Sequence, residues 1–357
     1  MTDGYVGPVT LTRVDPHGPG LGRRRRGKGF SYFDLTTGEA VTDPETLDRI
    51  AALVIPPAWR DVWICPRADG HIQSVGTDAA GRRQYRYHAE WTEQQSREKF
   101  VRVARLGAQM PEVRKTLLER LDTDGLGRDR VMAGAVWLLD LGVFRVGGEE
   151  YAEGDKYSEA SFGLATLRRE HASARKDGSV QFRYVAKAGV PRTLTIADPA
   201  THQLVTSLKR RRGGGDDLLA WSTTRQRKRV WHDVTADDVN EAVHELVGDE
   251  FTAKDLRTWN AGVVAAVALA TQVGPDGNPP TAERKRKSAV TQTMKTVAGQ
   301  LGNTPAVCRR SYVDPVLVEH FEAGRTVLDA IREADPSDLA MREQVEAAVL
   351  ELVTDRD

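Results

Sequence analysis

Between Leu256 and Thr271 the chain is almost continuously apolar. A helix without a polar face cannot lie on a surface and must sit inside a larger packed body. The four residues before it, Thr252-Ala253-Lys254-Asp255, have the spacing of a capping box, with Asp in the place of Glu or Gln. A helical domain wrapped around this segment is therefore expected, and helical periodicity supplies the rest of it. Val113, Leu117, Leu118 and Leu121 form an apolar stripe, and Asp124-Gly125-Leu126-Gly127 ends it. Further helices are expected over about 129–141, 161–169, 199–212 and 282–301, and after the capping signature Thr235-Ala236-Asp237-Asp238. An acidic amphipathic helix carrying Leu339, Val345, Ala348, Val349 and Leu352 closes the chain.

Strand patterns are fewer. In the C-terminal half, His171 to Arg175, Val180 to Ala186 and Pro191 to Ile196 alternate as strands. Turns at Lys176-Asp177-Gly178 and Lys187-Ala188-Gly189 join them, with Val180, Phe182, Tyr184 and Ala186 on one face. The N-terminal part reads differently. Residues 1–28 are rich in Gly, Pro and Arg and are expected to be a mobile basic segment. Residues 22–29 imitate a phosphate-binding loop, but Gly29 stands where a Ser or Thr is needed and no apolar strand precedes, so nucleotide binding is rejected. From Gly29 short strands follow at Phe30 to Phe33, Val62 to Cys65, His71 to Gly76 and Arg82 to Tyr87. Among them one helix starts at Asp43-Pro44 and carries Leu47, Ile50, Ala51 and Val54. The fold class is α+β. A small antiparallel sheet domain is expected over 29–93, and a mainly α-helical domain with a three-stranded hairpin sheet over 94–357.

The net charge is zero, with 29% charged residues, which by itself argues against a polyanion partner. The charges are segregated, however. Basic runs occur at 23–26, 209–212, 225–229 and 284–287, whereas the final forty or so residues are acidic. Several basic runs on one chain suit a track of phosphates. Cys65 and Cys308 are the only cysteines and lack metal-ligand spacing, so neither a disulfide framework nor a zinc site is expected. No apolar signal segment and no membrane-spanning run appears, and a soluble cytoplasmic protein is expected.

The chemistry-bearing residues lie in four separated segments. Residues 301–312, LGNTPAVCRRSY, place Thr304 as an N-cap and Pro305 as a first helical position, so that Tyr312 falls near a helix end beside Arg309, Arg310 and Asn303. Upstream stand FRVG at 144–147, VAKAG at 185–189 and KDLR at 254–257. Together these segments resemble the type IB DNA topoisomerases, in particular their compact bacterial and poxvirus branch, and the resemblance runs from about Gly29 to about Arg325. It implies relaxation of supercoiled duplex DNA by single-strand cleavage through a 3′-phosphotyrosyl link, rotation and religation, without ATP, metal or cofactor.

A phosphodiester cleaved without metal needs a nucleophile, charge stabilisation and a proton for the leaving oxygen. Tyr312 is the expected nucleophile. Arg145 and Arg257 suit the non-bridging oxygens, because guanidiniums offer paired planar donors and stay charged. Asn303 would add a neutral donor where much of the family carries histidine. Lys187, at a turn tip, is the expected general acid for the 5′ oxygen. The resemblance also implies DNA contacts for Gln84, Tyr85 and Tyr87 in the segment GRRQYRYH, and for Tyr151. The expected partner is double-stranded DNA, held by a two-domain clamp, with the protein a nucleoid-associated monomer. Tyrosine recombinases share the Arg, Lys, Arg and Tyr set, but usually place His where this chain has Lys254. They, and a DNA-binding module without activity, remain the alternatives.

Overall fold

A computed structural model describes residues 10–142, 144–152, 160–332 and 339–356, apart from the side chains at 150, 151, 188 and 340. The chain forms two compact units, one up to Lys99 and one from Phe100.

The first unit is built on an antiparallel sheet of β1 (Leu21–Arg26), β2 (Gly29–Asp34), β3 (Arg60–Ile64), β4 (Ile72–Thr77) and β5 (Arg83–Tyr87), in the order β2-β1-β3-β4-β5. Helix α1 (Pro44–Ala52) covers it. Asp43 caps this helix by accepting from the Thr46 amide at 2.9 Å, and Pro44 sits where its missing N–H is no loss. Ile50 packs with Leu21, Val62 and Ile64, while Trp63, Cys65, Ile72 and Val75 form a second cluster. Val54 departs from its expected place on the helix face: the helix ends before it and it is 70% exposed.

The sheet reaches further towards the N-terminus than expected. Residues 21–26, assigned from composition to a mobile segment, form β1, paired with β2 along its length and with β3 at Leu21 and Gly22. Arg23 shows why so basic a stretch is held. Its guanidinium donates to the carbonyls of Pro56 and Trp59 at 2.7 and 2.9 Å, which spares them from being buried unpaired. Gly27 and Lys28 are the tip of this hairpin, so the apparent phosphate loop is a strand and a turn.

Helix α2 (Ala89–Leu121) includes the polar stretch after Trp91 and ends in the second unit. There follow α3 (Arg128–Asp140), α4 (Glu149–Ala152), the antiparallel sheet β6 (Ala172–Ala174), β7 (Val180–Ala186) and β8 (Val190–Ile196), and α5 (Pro199–Arg210). A hairpin of β9 (Ala220–Arg225) and β10 (Lys228–Asp233) leads to α6 (Ala236–Val247), α7 (Ala253–Ala270), α8 (Glu283–Leu301), α9 (Pro305–Ser311), α10 (Pro315–Glu322), α11 (Leu328–Arg332) and α12 (Leu339–Thr354).

Helix α7 is the expected central segment. Thr252 and Asp255 exchange the two hydrogen bonds of a capping box at its start. It packs against α3, α8, α10 and α12, and Leu256, Ala261, Ala265 and Ala270 are fully buried. Trp259 lies so close to Gly107 of α2 that a Cβ there would come within 2.5 Å of its ring. Truncating such an aromatic core residue costs about 3–5 kcal/mol. Charge is buried here too. Arg114 of α2 pairs with Asp140 of α3 at 2.8 Å and with Glu346 of α12 at 2.7 Å, and Arg342 joins Asp140 at 3.1 Å. This cluster fastens the closing helix to the core.

Two expectations in this unit are corrected. Residues 161–169 are not an α-helix but an irregular segment with 3-10 turns at Leu164–Thr166 and Arg169–His171. Their amides are used elsewhere: Phe162, Leu164 and Ala165 donate to the carbonyls of Val185, Arg145 and Val146, each at 2.8 Å. The β9–β10 hairpin is an addition to the strands expected in this half. Its turn residues Gln226 and Arg227 both adopt positive φ without the Gly, Asn or Asp that announces such a turn. Among the described residues no helix is long and apolar enough to cross a membrane.

Candidate active site

The end of helix α8 gathers the site. The last carbonyls of an α-helix have no partner within it, and they carry the negative end of its dipole. Here three guanidiniums supply the partners. Arg192 of β8 donates to the Gln300 carbonyl at 2.8 Å, Arg257 of α7 to that of Leu301, and Arg145 to that of Gly302 at 3.2 Å. Arg145 also donates to Oδ1 of Asn303, and Arg257 to the Phe144 carbonyl at 3.3 Å. Gly302 ends the helix in the left-handed conformation, φ 63°, which lets the chain turn under this cluster.

Each arginine is held by its own element. Arg145 follows Phe144, which is 1% exposed and packs edge-on against Phe182 of β7, with ring centroids 5.0 Å apart. On its other side Gly147, φ 86°, crosses Gly163 so closely that a Cβ on Gly147 would lie 2.7 Å from the Gly163 Cα. Arg257 is 5% exposed in α7. Burial, followed by repulsion from Arg145, pulls its guanidinium down to about 10, and Tyr312 opposes the shift. It still carries its charge at neutral pH. Its Nε has no hydrogen-bond partner among the described residues.

Tyr312 occupies the expected place. Thr304 caps α9 by accepting from the Val307 amide at 3.3 Å, Pro305 is its first residue, and Tyr312 is its C-cap, half-buried. The Arg257 guanidinium carbon lies 5.8 Å from the centre of the Tyr312 ring. Asp314 then caps α10 and is tied to Arg356 at 2.6 Å. Tyr312, Arg257, Arg145 and Lys254 line one cavity of about 280 Å³. Arg145 also borders a second, of about 220 Å³, lined by Tyr184, Lys187, Arg192 and Gly302. Lys187 is exposed in the 3-10 turn Lys187–Gly189 between β7 and β8.

Arg145 and Asn303 are thus joined directly, Arg257 meets them at the same helix end through the Leu301 carbonyl, Tyr312 stands beside Arg257, and of the two cavities described Lys187 lines the one that lacks Tyr312. Arg192 was not singled out from the sequence. The strand register could have found it: it lies directly opposite Tyr184, and opposite residues of an antiparallel pair share a face.

In the first unit, Tyr85 and Tyr87 are exposed on one face of β5, with rings stacked at 6.0 Å. Gln84 occupies the alternate face, where its amide donates to Asp78 at 2.9 Å. Tyr151 lies in α4, and its side chain is outside the described residues.

Comparison with known proteins identifies the family. Residues 88–332 match the family described as eukaryotic DNA topoisomerase I, catalytic core, and residues 29–78 match the bacterial DNA topoisomerase IB N-terminal domain. The DNA topoisomerase 1B of Acanthamoeba polyphaga mimivirus is 28% identical over 325 residues, covering 90% of this chain and 94% of that protein. With both segments matched in order, the chain belongs to the type IB DNA topoisomerases.

Proposed function

We propose that this enzyme relaxes supercoiled duplex DNA by reversible transesterification, with Tyr312 as nucleophile. A phenol of ordinary pKa near 10 is ionised to only about one part in a thousand at neutral pH, so neighbouring positive charge must stabilise it as it reacts. The observation that carries the reading is the convergence at one helix end of Arg145, Arg257 and Asn303, with the Tyr312 ring beside Arg257.

Attack by the Tyr312 oxygen on phosphorus, its proton passing to solvent, forms a 3′-phosphotyrosyl ester and breaks the bond to the 5′ oxygen. Arg145, Arg257 and Asn303 bind the non-bridging oxygens as negative charge builds on them. Lys187 gives a proton to the departing 5′ oxygen. The freed end rotates, and the 5′ hydroxyl then attacks the ester, giving its proton back to Lys187 while the departing Tyr312 oxygen regains one from solvent. The ester conserves the phosphodiester bond energy, so the cycle needs no ATP. Tyr85 and Tyr87 contact the duplex from the first unit, and Gln84 does so if it leaves Asp78.

Tyr312→Phe should bind duplex DNA and fail to relax plasmid in the presence of EDTA and without ATP. Relaxation by that variant overturns the nucleophile assignment. Lys187→Ala should lose about 10² to 10⁴ in cleavage rate, and should regain it on a substrate whose 5′ bridging oxygen is sulfur, since a thiolate leaves without a proton. A variant equally slow on both substrates excludes the general-acid role.

A further inference from the structure

Arg192 is the one member of the arginine cluster with no role in the reaction derived above. It sits on β8 opposite Tyr184 of β7, two residue pairs from Ala186 and Val190, which close the hairpin just before and just after the Lys187 turn. Its Nη2 donates to the Gln300 carbonyl at 2.8 Å, and the Nη1 end of its guanidinium abuts Gly302, where a Cβ would come within 2.1 Å of Nη1. That fit requires the residue at 302 to lack a side chain, and the left-handed φ of 63° favours glycine there for a second, independent reason. Arg192 therefore bridges the hairpin that carries Lys187 and the helix end on which Arg145 and Arg257 rest.

We propose that Arg192 is a positioning residue for the proton-transfer step: it clamps the stem of the β7–β8 hairpin to the end of α8 and so sets where Lys187 stands relative to the scissile phosphate. This rests on Lys187 being the general acid. On its β7 side the stem is tied at the Val185 carbonyl, which accepts from the Phe162 amide at 2.8 Å, and its β8 side is the more open one. Val190 is 50% exposed, and Pro191 and Thr193 are also exposed, so packing of the outer stem is slight. A bond from a charged donor to a helix-terminal carbonyl is among the stronger single contacts available. The clamp is assigned to geometry because the described hydrogen bond of Arg192 goes to the Gln300 carbonyl, with its Nη1 end abutting Gly302.

The test compares Arg192→Ala and Lys187→Ala in single-turnover cleavage of two duplexes, one with the ordinary 5′ bridging oxygen and one with sulfur there. Loss of the clamp should slow cleavage of the oxygen substrate by about tenfold or more, a fraction of what a general acid contributes, and should leave the sulfur substrate near the parent rate. Arg192→Lys, which keeps the charge and one reach to Gln300, should fall between. If Arg192→Ala fails to fold, the same two-substrate comparison is made on Arg192→Lys alone. An equal defect on both substrates assigns Arg192 to the phosphate oxygens or to DNA binding and overturns the proposal, as does an unchanged rate on oxygen. The underlying reading is tested separately: Lys187→Ala without sulfur rescue removes the general acid itself, whereas rescue of Lys187→Ala but not of Arg192→Ala removes only the clamp.

Discussion

Asn303 shows how one amide can be oriented for a charged ligand. Its Oδ1 accepts from Arg145, and its Nδ2 is buried without a hydrogen-bond partner among the described residues. The arginine fixes which way the amide points, so the donor faces away from it. A buried donor of this kind costs roughly 1–3 kcal/mol until something accepts from it, and a phosphoryl oxygen would. Asn303→Ala should therefore slow cleavage by about 10²-fold or more, as for other donors to a developing oxyanion, with little effect on DNA affinity. Asn303→His should retain activity and add a titrating donor at this position. The imidazolium is the better donor, so the rate should rise as pH falls, with a midpoint below the ordinary histidine value of about 6.5 because Arg145 disfavours a second charge beside it. Single-turnover cleavage between about pH 5 and 8 checks both variants, and a flat profile for Asn303→His would place the side chain away from the phosphate.

At the scale of elements, the buried charges decide how the closing helix is kept. Asp140 is fully buried; desolvation alone would raise its pKa, but Arg342 and Arg114 outweigh it and hold the carboxyl below its ordinary value. Arg114 is raised in turn, since Asp140 and Glu346 overcome its own desolvation. Arg114→Met should cost about 3–5 kcal/mol, because it leaves two buried carboxylates short of a partner, and thermal unfolding would register it. The acid limb follows from Asp140. With a folded pKa below the unfolded one, its contribution is complete above about pH 4 and is lost as pH falls through the folded value. The melting temperature should drop there, and less so in Asp140→Asn. Much at this scale was legible in the chain. Capping signatures at Thr235, Thr252, Thr304 and Asp43 each sit at a helix start, and the turns at Asp177-Gly178 and Lys187 fix the register of β6, β7 and β8. These are local signals written in residue type. What escaped depends on distant partners: residues 161–169 look helical until Arg145, Val146 and Val185 claim their amides, and Arg192 looks like any strand cation until Gln300 is brought to it.

For the whole molecule, a net charge of zero conceals an uneven surface. Arg225, Arg227, Lys228 and Arg229 crowd the exposed tip of β9–β10, and Arg309 and Arg310 are exposed on α9 beside Tyr312. Affinity for duplex DNA should fall by orders of magnitude between about 50 and 200 mM salt as counterions compete. Replacing Arg225 and Arg229 by Gln should flatten the plot of log affinity against log salt by up to about two units; an unaltered slope would remove this hairpin from the DNA track. The manner in which Arg145, Arg192 and Arg257 are satisfied also bears on turnover. Their described partners are carbonyl and amide oxygens, not carboxylates. Among the described residues, a phosphodiester arriving there evicts no carboxylate from these guanidiniums. Against these partners, entry and exit are exchanges with neutral dipoles, so residence of a strand there should respond chiefly to the surrounding electrolyte.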